Sequence, residues 1–400
     1  MSHAANLLYL PVSVSALIFA QLDPQDILHL RQTCSVVHAK TITIFARRFF
    51  TARRITSDHE SLQKLEKISK HPRLGQYIQT LEIVIDHASL FNQYMANAHA
   101  VKKTLDNSDS EVLVRTECGT ECLSRALLNL TNCKRIGIRS AYRIQGADQH
   151  ISTKRGPETA QILANEAKFA YRIIQAVLTA VAISQLQIEK LDIRIRSSAE
   201  MKSCITPDLL IGPSVAIIAK SRLISLRRLH LVLNPNNPKL ATDSSAWVPS
   251  FLHFIGLLPD LSELALEFEG RDTRGRFAQL CTLMRIPKLR ALTVGWTDCT
   301  SMELTFLLLR HRKTLREINF DSVGLIDDVE AWRWLVETIR DSLNIGFFSM
   351  TESLIRGQEL IEPHGAGLLS QRLEAIDTQG LCDIADFLSY RETTRWASCC

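Results

Sequence analysis

The stretch LRRLHLVLN, residues 226–234, places three leucines in the order apolar-x-x-apolar-x-apolar, at Leu226, Leu229 and Leu231. A short segment whose apolar positions alternate is typical of a strand that buries one face. The same three-point pattern recurs along the chain, with its middle residue at positions 81, 136, 191, 229, 264, 292 and 318. Recurrence of one short strand pattern predicts a repeated structural unit.

The spacing between copies contracts toward the C-terminus. The steps between middle residues are 55, 55, 38, 35, 28 and 26, and they approach the length of a leucine-rich repeat, about 20 to 29 residues. Segments with helical periodicity lie between the copies, for example from Trp247 and from Met302. A strand-helix unit this small cannot bury its apolar face alone, so the units are expected to stack.

The chain therefore resembles an irregular leucine-rich-repeat solenoid, an α/β fold of short parallel strands and helices. It is irregular because the asparagine expected three places after the last apolar point occurs only once, as Asn234. The two long steps imply insertions around residues 85–130 and 140–186. The solenoid is expected to span residues 78–345, followed by a helical cap or tail over residues 346–400.

The N-terminal stretch LPVSVSALIFAQLDPQDILHLRQTC, residues 10–34, predicts two short helices. Apolar residues at three- and four-residue steps share one face of the first helix: Val14, Leu17, Ile18 and Leu22. Asp23 is placed to cap a second helix, and Pro24 occupies its first position. Two helices this short cannot bury both faces against each other, so apolar surface must meet the rest of the chain or a partner.

This stretch resembles the F-box, a three-helix motif that docks on a Skp-family adaptor protein. The matching residues are Leu10, Pro11, Ile18, Phe19, Leu22, Asp23, Pro24, Asp26, Leu28, Leu30, Arg31 and Cys34. The resemblance covers residues 7–50 and departs from the family at Ser13, where an acidic residue is common, and at Val37, where an aromatic residue is expected. Residues 49–83 are similar to the segment after the F-box in many fungal F-box proteins. A linker region is expected over residues 51–77, with a helix from Asp58 to Lys70.

The resemblance implies a set of adaptor-binding residues: Leu10, Pro11, Ile18, Phe19, Leu22, Leu28, Leu30, Arg31 and Cys34. Another interpretation stays open, because several apolar residues of the stretch would be core residues in any helical hairpin. A secretion signal is disfavoured, since residues 1–9 contain no lysine or arginine and Pro11 interrupts the apolar run. The later apolar run from Ala176 is too short to span a membrane.

In a solenoid, the side chains that alternate with the buried points of each strand form an exposed face. This face is predicted to be basic in its first half and acidic in its second. The candidate target-binding residues are Arg139, Arg194, Arg228, His230, Glu267 and Asp321. Such polarity would orient a partner of opposite polarity. The alternative is that these charged side chains are simply exposed to solvent and bind no partner.

Composition and motifs restrict the remaining functions. Of the 400 residues, 46% are hydrophobic and 22% are charged, which is typical of a globular chain. The net charge is +5 and the sequence contains no dense block of basic residues, which disfavours nucleic-acid binding. The ten cysteines indicate reduced thiols in a cytoplasmic or nuclear protein. No glycine-rich phosphate loop, Gly-x-Ser-x-Gly or His-Glu-x-x-His motif occurs, and neither a catalytic residue, a metal nor a cofactor is predicted.

Two cysteine pairs and one histidine occur at spacings or positions that are typical of particular roles. Cys118 and Cys122 are spaced like metal ligands but lack a second close pair. Cys399 and Cys400 resemble the geranylgeranylation signal of small vesicle GTPases, but nothing else resembles the GTPase body on which that modification depends. His311 is expected at a helix C-terminus, where its charge would favour the helix dipole.

By resemblance, the chain would be a non-catalytic substrate-recognition subunit of a Skp-cullin-F-box ubiquitin ligase. Its expected partners are the Skp-family adaptor with the cullin-RING ligase and an unknown protein target, without nucleic acid or membrane. Two alternatives stay open: a scaffold that uses the adaptor without causing degradation, and an enzyme whose site is assembled from separated residues.

Overall fold

A computed structural model describes residues 9–85, 117–140, 157–196, 203, 205, 225–234, 247–268, 276–327, 330–351, 354–355, 372–376 and 379–385. The side chain of Cys118 and the terminal residues Cys399 and Cys400 lie outside this description. The chain begins with three helices, α1 (Val12–Ala20), α2 (Pro24–Thr33) and α3 (Ser35–Phe50). Pro24 is the first residue of α2, as predicted, but Asp23 makes no side-chain capping hydrogen bond.

The rest of the described chain alternates strands and helices, which confirms the predicted α/β architecture. The strands of the main sheet are β1 (Ala52–Thr56), β2 (Thr80–Ile85), β3 (Arg135–Ser140), β4 (Lys190–Arg194), β5 (Arg228–Leu233), β6 (Glu263–Phe268) and β7 (Ala291–Gly295). After the short strand β8 (Asp298–Cys299) come β9 (Glu317–Asp321), β10 (Gly324–Leu325), β11 (Phe347–Thr351), β12 (Leu354–Ile355) and β13 (Arg372–Ala375). The helices between them are α4 (His59–Lys70), α5 (Glu117–Asn129), α6 (Pro157–Ser184), α7 (Trp247–Gly256), α8 (Arg276–Leu283), α9 (Ser301–Arg310) and α10 (Ala331–Ser342).

The strands of the described residues form one ten-stranded sheet in the order β1-β2-β3-β4-β5-β6-β7-β9-β11-β13. Every pairing is parallel except the last, between β11 and β13. The short strands β12, β10 and β8 form a second, three-stranded sheet. Trp296 and Ser322, with φ of 57° and 55°, occupy equivalent positions after β7 and β9, where the chain turns toward this second sheet.

The register of the main sheet confirms the three-point pattern. The predicted middle residues pair with one another in an unbroken line: Leu81, Ile136, Leu191, Leu229, Leu264, Leu292 and Ile318. These residues and the third points of the pattern are buried. The side chains that alternate with them therefore lie on the opposite, outward face of the sheet, as a two-residue period requires.

A repeated backbone arrangement fixes this register. At each junction, two successive N–H groups donate to one carbonyl of the preceding unit, as Gln79 and Thr80 do to Thr51 at 2.9 and 3.0 Å. The same acceptor role recurs through the described solenoid at residues 79, 134, 189, 227, 262, 290 and 316. Because both groups would otherwise lack partners next to a buried core, each unit locks onto the one before it.

The helical N-terminus has a small core of its own. Phe19, Ile27, Val37 and Ala46 are buried, yet they lie outside the continuous core cluster that begins at Ile55. Helix α3 connects the two cores, because Phe50 packs against the main cluster and β1 starts directly afterwards. The three helices are thus a separately packed module attached to the first edge of the solenoid.

The sheet extends beyond the expected range of residues 78–345. Residues 51–77, predicted to be a linker with a helix, form β1 and α4 of a first unit, and Asp58 caps α4 by accepting from the Ser61 N–H at 2.8 Å. At the other end, Phe348 and Met350 pair with Ile318 and Phe320. The prediction missed β1 because Arg53 occupies the place of the middle apolar residue.

His311 differs from its predicted role. Its Nε2 accepts a hydrogen bond from the Ile286 N–H at 3.0 Å, and its Nδ1 donates to the Leu307 carbonyl at 2.8 Å. Accepting at one nitrogen and donating at the other requires the neutral ring. Burial also lowers the pKa of the His311 imidazole. The side chain therefore satisfies two backbone groups of neighbouring units, and the neutral His311 ring adds no charge to the helix C-terminus.

Candidate functional site

The first candidate surface is the outer side of α1. This helix has only two polar residues, both serines, and a helix that is apolar on all sides is normally buried all round. Phe19 and Ser15 face the core of the helical module. By contrast, Val14, Leu17 and Ile18, at helical spacing on the other side, are 40%, 72% and 40% exposed. The module therefore presents apolar surface that its own core does not use.

Further apolar side chains on the same module are exposed. Tyr9 precedes α1, Leu28 lies on α2 and Val36 lies in the first turn of α3, and all three are exposed. We call this set of residues the docking face: Tyr9, Val14, Leu17, Ile18, Leu28 and Val36. Soluble proteins seldom expose so many large apolar side chains on one small helical module unless that surface binds a partner.

The adaptor-binding residues implied by the resemblance fall into three groups. Pro11, Ile18, Leu28 and Cys34 are exposed, whereas Leu10, Leu22, Leu30 and Arg31 are half-buried. Phe19 is only 1% exposed, because its ring occupies the core-facing side of α1. It supports the docking face from beneath and is not itself accessible to a partner. Leu17, which the resemblance did not include, is the most exposed of the large apolar residues described on α1.

Arg31 is held by contacts within the module. Its guanidinium lies 3.8 Å from the centre of the Phe45 ring and donates to His38 Nε2 at 3.0 Å and to Thr41 Oγ1 at 3.4 Å. Partial burial lowers the pKa of this guanidinium. Because Arg31 bridges α2 and α3, it fixes the relative position of the helices that carry Leu28 and Val36.

The second candidate surface is the outward face of the main sheet, here called the strand face. The sheet register places its side chains in rows that cross the strands. One row consists of Arg135, Lys190, Arg228, Glu263, Ala291 and Glu317, and the next consists of Gly137, Asp192, His230, Ala265, Thr293 and Asn319. A third row contains Arg139, Arg194, Val232, Glu267, Gly295 and Asp321.

Asp192 lies at the centre of the basic half of the strand face. Its carboxylate is only 5% exposed and accepts from Arg139 at 2.7 Å, from Arg194 at 2.7 and 3.1 Å and from Arg135 at 3.4 Å. Burial alone would raise the pKa of the Asp192 carboxyl, but the hydrogen bonds and charges of Arg194, His230 and Arg139 outweigh burial and lower it. The carboxylate thus stays ionised and gathers cations from two neighbouring strands.

His230 connects this cluster to the acidic half. Its Nε2 is 2.7 Å from Glu267 Oε1, and its Nδ1 is 3.6 Å from Asp192 Oδ1. Burial acts to raise the pKa of the Glu267 carboxyl, but the hydrogen bond and charge of His230 and the charge of Arg194 lower it overall. Among the predicted target-binding residues, Arg139, Arg194, His230 and Glu267 therefore form one network around Asp192.

The other two predicted residues lie apart from this network. Arg228 forms an ion pair with Glu263 on the adjacent strand, and Asp321 lies farther along the sheet, on β9. The predicted polarity is therefore partly neutralised by pairs between strands. Strand alternation places Asp192 on the outward face, but it does not reveal that three arginine side chains fold over this shorter residue and bury it.

A groove of about 240 Å³ crosses the strand face. Its lining includes Lys190, Arg194 and His230 at the basic end, and Glu317 and Asn319 at the other end. Short side chains form its centre: Ala265, Ala291 and Thr293. Charged side chains at the two ends of the groove thus flank a centre of small, uncharged residues.

Along the described part of the chain, no group of three or more histidine, cysteine, aspartate or glutamate side chains is placed to hold a metal ion. Of the helices within the described ranges, none is long and apolar enough to cross a bilayer.

Comparisons with known proteins add little to this description. No protein-family model matches the chain, and no curated protein matches it. Among solved structures, the chain is similar to one titled "Crystal structure of Rad7 and Elc1 complex in yeast", with 12% sequence identity over 90% of this chain and 93% of that chain and a TM-score of 0.27. A TM-score this low carries no argument, so function has to be argued from the residues themselves.

Proposed function

We propose that this chain is the substrate-recognition subunit of a Skp-cullin-F-box ubiquitin ligase. In this proposal, residues 7–50 bind a Skp-family adaptor, and the solenoid binds a protein target through the strand face. The observation that carries the proposal is the docking face: a helical module with its own small core exposes Leu17 at 72%, with Val14 and Ile18 beside it. The order of residues in that module also resembles the F-box.

Such a protein would act by proximity. The module fixes the chain to the adaptor, and the solenoid holds the target near the ubiquitin-loaded enzyme, so the effective concentration of target lysines at that enzyme rises. This mechanism needs a firm connection between the two parts. The direct passage from α3 at Phe50 to β1 at Ala52 supplies one, because no flexible linker separates the docking face from the strand face.

The departures from the F-box pattern have different structural consequences. Ser13 is exposed, so an acidic residue there would face the adaptor or solvent. Val37 is 4% exposed and belongs to the core of the module, so its smaller volume affects packing and leaves the exposed apolar residues in place. Neither departure removes a residue of the docking face.

Co-purification with a Skp-family adaptor tests the docking role. The intact chain is expected to retain the adaptor, and a double variant, Leu10→Ala with Pro11→Ala, is expected to lose most of it. Equal recovery by both chains would contradict the proposal. Circular dichroism of the double variant tests whether its helices persist, since loss of helix would explain lost binding without any docking role.

A second measurement separates a ligase subunit from a scaffold. Proteins that co-purify with the intact chain are followed in cells that carry the double variant instead. A ligase subunit predicts that the half-life of at least one of these proteins lengthens when the adaptor is lost. Unchanged half-lives for all of them, with adaptor binding intact in the parent chain, would favour a scaffold that does not cause degradation.

A further inference from the structure

The groove on the strand face has an unneutralised charge at each end. Lys190, at the basic end, makes no ion pair within the described residues and lies beside Arg135 in the sheet register. Arg135, Arg139 and Arg194 converge on Asp192, and Glu267 pairs with His230, so neither carboxylate neutralises Lys190. At the other end, the Glu317 carboxylate is exposed and likewise has no ion pair along the described chain.

The middle of the groove is neutral. Between Lys190 and Glu317 in the same row lie Arg228 and Glu263, which pair with each other, and then Ala291. Ala265 and Thr293 continue this short-sided floor in the next row. A ligand that matches the groove therefore needs a charge at each end, opposite in sign to the groove's, and uncharged side chains between them.

The sheet sets the distance between the two charged ends. Lys190 lies on β4 and Glu317 on β9, and the order β4-β5-β6-β7-β9 separates them by four strand steps. At about 4.8 Å for each step, the separation is about 19 Å. An extended peptide advances about 3.3 Å for each residue, so about six residues span this distance.

We infer that the strand face binds an extended segment of the target in which an acidic and a basic side chain are about six residues apart, with small or apolar residues between them. The acidic side chain lies at Lys190 and the basic one at Glu317. This inference rests on the proposed function, since it specifies what the target-binding surface takes. A nucleic acid fits less well, because Glu317 repels a polyanion at one end of the groove.

A series of fluorescent peptides tests the spacing. Each peptide contains one glutamate and one lysine among alanines and valines, separated by about two to about nine positions, and a matched series carries two glutamates in their place. Fluorescence anisotropy at low salt is expected to show the tightest binding for one glutamate and one lysine about five to seven positions apart. Added salt should weaken binding, because the two charge pairs are exposed.

A charge reversal at one end tests the assignment of the two ends. Glu317→Lys changes an exposed residue that makes no ion pair within the described part of the chain, so the fold should persist. This variant is expected to prefer the peptide with two glutamates over the peptide with one glutamate and one lysine, by up to about thirtyfold, because an exposed ion pair replaces a repulsion of similar size. The matched control, Glu60→Lys on α4, makes the same change at an exposed residue outside the strand face and should leave the preference for the mixed peptide unchanged.

Three results would overturn the inference: no binding of any peptide, affinity that does not depend on separation, or a preference for the mixed peptide that Glu317→Lys leaves unchanged. Adaptor binding is measured on the same preparations. If the peptides fail while the adaptor still binds, the spacing inference fails and the proposed function stands. If the peptides bind but the adaptor does not, the ligase role fails and the groove assignment stands.

Discussion

Replacing Asp192 by asparagine removes the buried charge on which Arg135, Arg139 and Arg194 converge. The side chain keeps nearly the same shape, so the change tests electrostatics with little change in packing. The asparagine amide can still accept from one arginine. It cannot neutralise three guanidinium groups, and its NH₂ group cannot accept a hydrogen bond.

The expected loss follows from how deeply each group is buried. Removing one partner of a fully buried ion pair costs about 3–5 kcal/mol. Here the carboxylate is 5% exposed, but the arginine side chains are 32–41% exposed and can turn partly toward water. Solvent screening therefore reduces the penalty, and we expect Asp192→Asn to lower the free energy of unfolding by about 2–3 kcal/mol at pH 7.

The pH dependence gives a second signature. The pKa of Asp192 is lower in the folded chain than its ordinary value of 3.8, so the unfolded chain takes up the proton first as the pH falls. The stabilisation is complete above about pH 5 and declines as the pH falls through the ordinary value toward the folded pKa. The difference in stability between the parent chain and Asp192→Asn should therefore shrink below about pH 4.

Urea denaturation followed by circular dichroism between pH 3 and pH 7, roughly the window in which this carboxyl changes charge, measures both effects. Glu263→Gln is the matched control, because the Arg228–Glu263 pair lies on the same face but is 50% and 33% exposed. Its loss should be at most about 1 kcal/mol. The reasoning is refuted if Asp192→Asn is no less stable than Glu263→Gln at pH 7, or if its deficit is the same at every pH.

Three further changes test separate features of the fold. His311→Ala leaves the buried Ile286 N–H without its acceptor and should lower the free energy of unfolding, measured by urea denaturation, by about 1–3 kcal/mol. Because burial lowers the pKa of His311, the parent chain should also lose stability as the pH falls below about 6.5. Gly75→Ala forces a methyl group against a backbone carbonyl of α4 and should cost about 1–3 kcal/mol, whereas Gly256→Ala, with open space around the new methyl, should not lower the melting temperature. Ser13→Glu adds an acidic residue to the first turn of α1, which has none, and should raise the free energy of unfolding of the helical module by about 0.3–1 kcal/mol in low salt, an effect that high salt should abolish.

Most of the solenoid could be predicted from sequence because its signal is local and repeated. The pairing of Leu81 with Ile136, and onward to Ile318, follows the predicted middle residues without a slip, since each pattern buries the same face of one sheet. The unit at β11 carried the same pattern at Ile345, Phe348 and Met350 and could have been found. The unit at β1 could not, because its core is completed by neighbouring helices and Arg53 replaces an apolar point.

The sites were less predictable, because they depend on which side chains cover which. Periodicity grouped Val14, Leu17 and Ile18 correctly on one face of α1, but only packing shows that this face points outward and that Phe19 fills the core. On the strand face, alternation identified the charged residues. It could not show that Arg135 and Arg139 fold over Asp192, since those contacts join residues far apart in sequence.

The docking face is tested most directly by equilibrium binding of the purified chain to a purified Skp-family adaptor. Leu17→Asp places a charge on α1 at a leucine that is 72% exposed, and Leu128→Asp makes the same change on α5, at a leucine that is 55% exposed. Both changes should leave the fold nearly as stable as before. We expect the parent chain and Leu128→Asp to bind alike and Leu17→Asp to bind at least about tenfold more weakly, because a buried charge lacks a partner at the interface. Equal binding by all three chains, or no binding by the parent chain, would contradict the proposal that α1 docks on the adaptor.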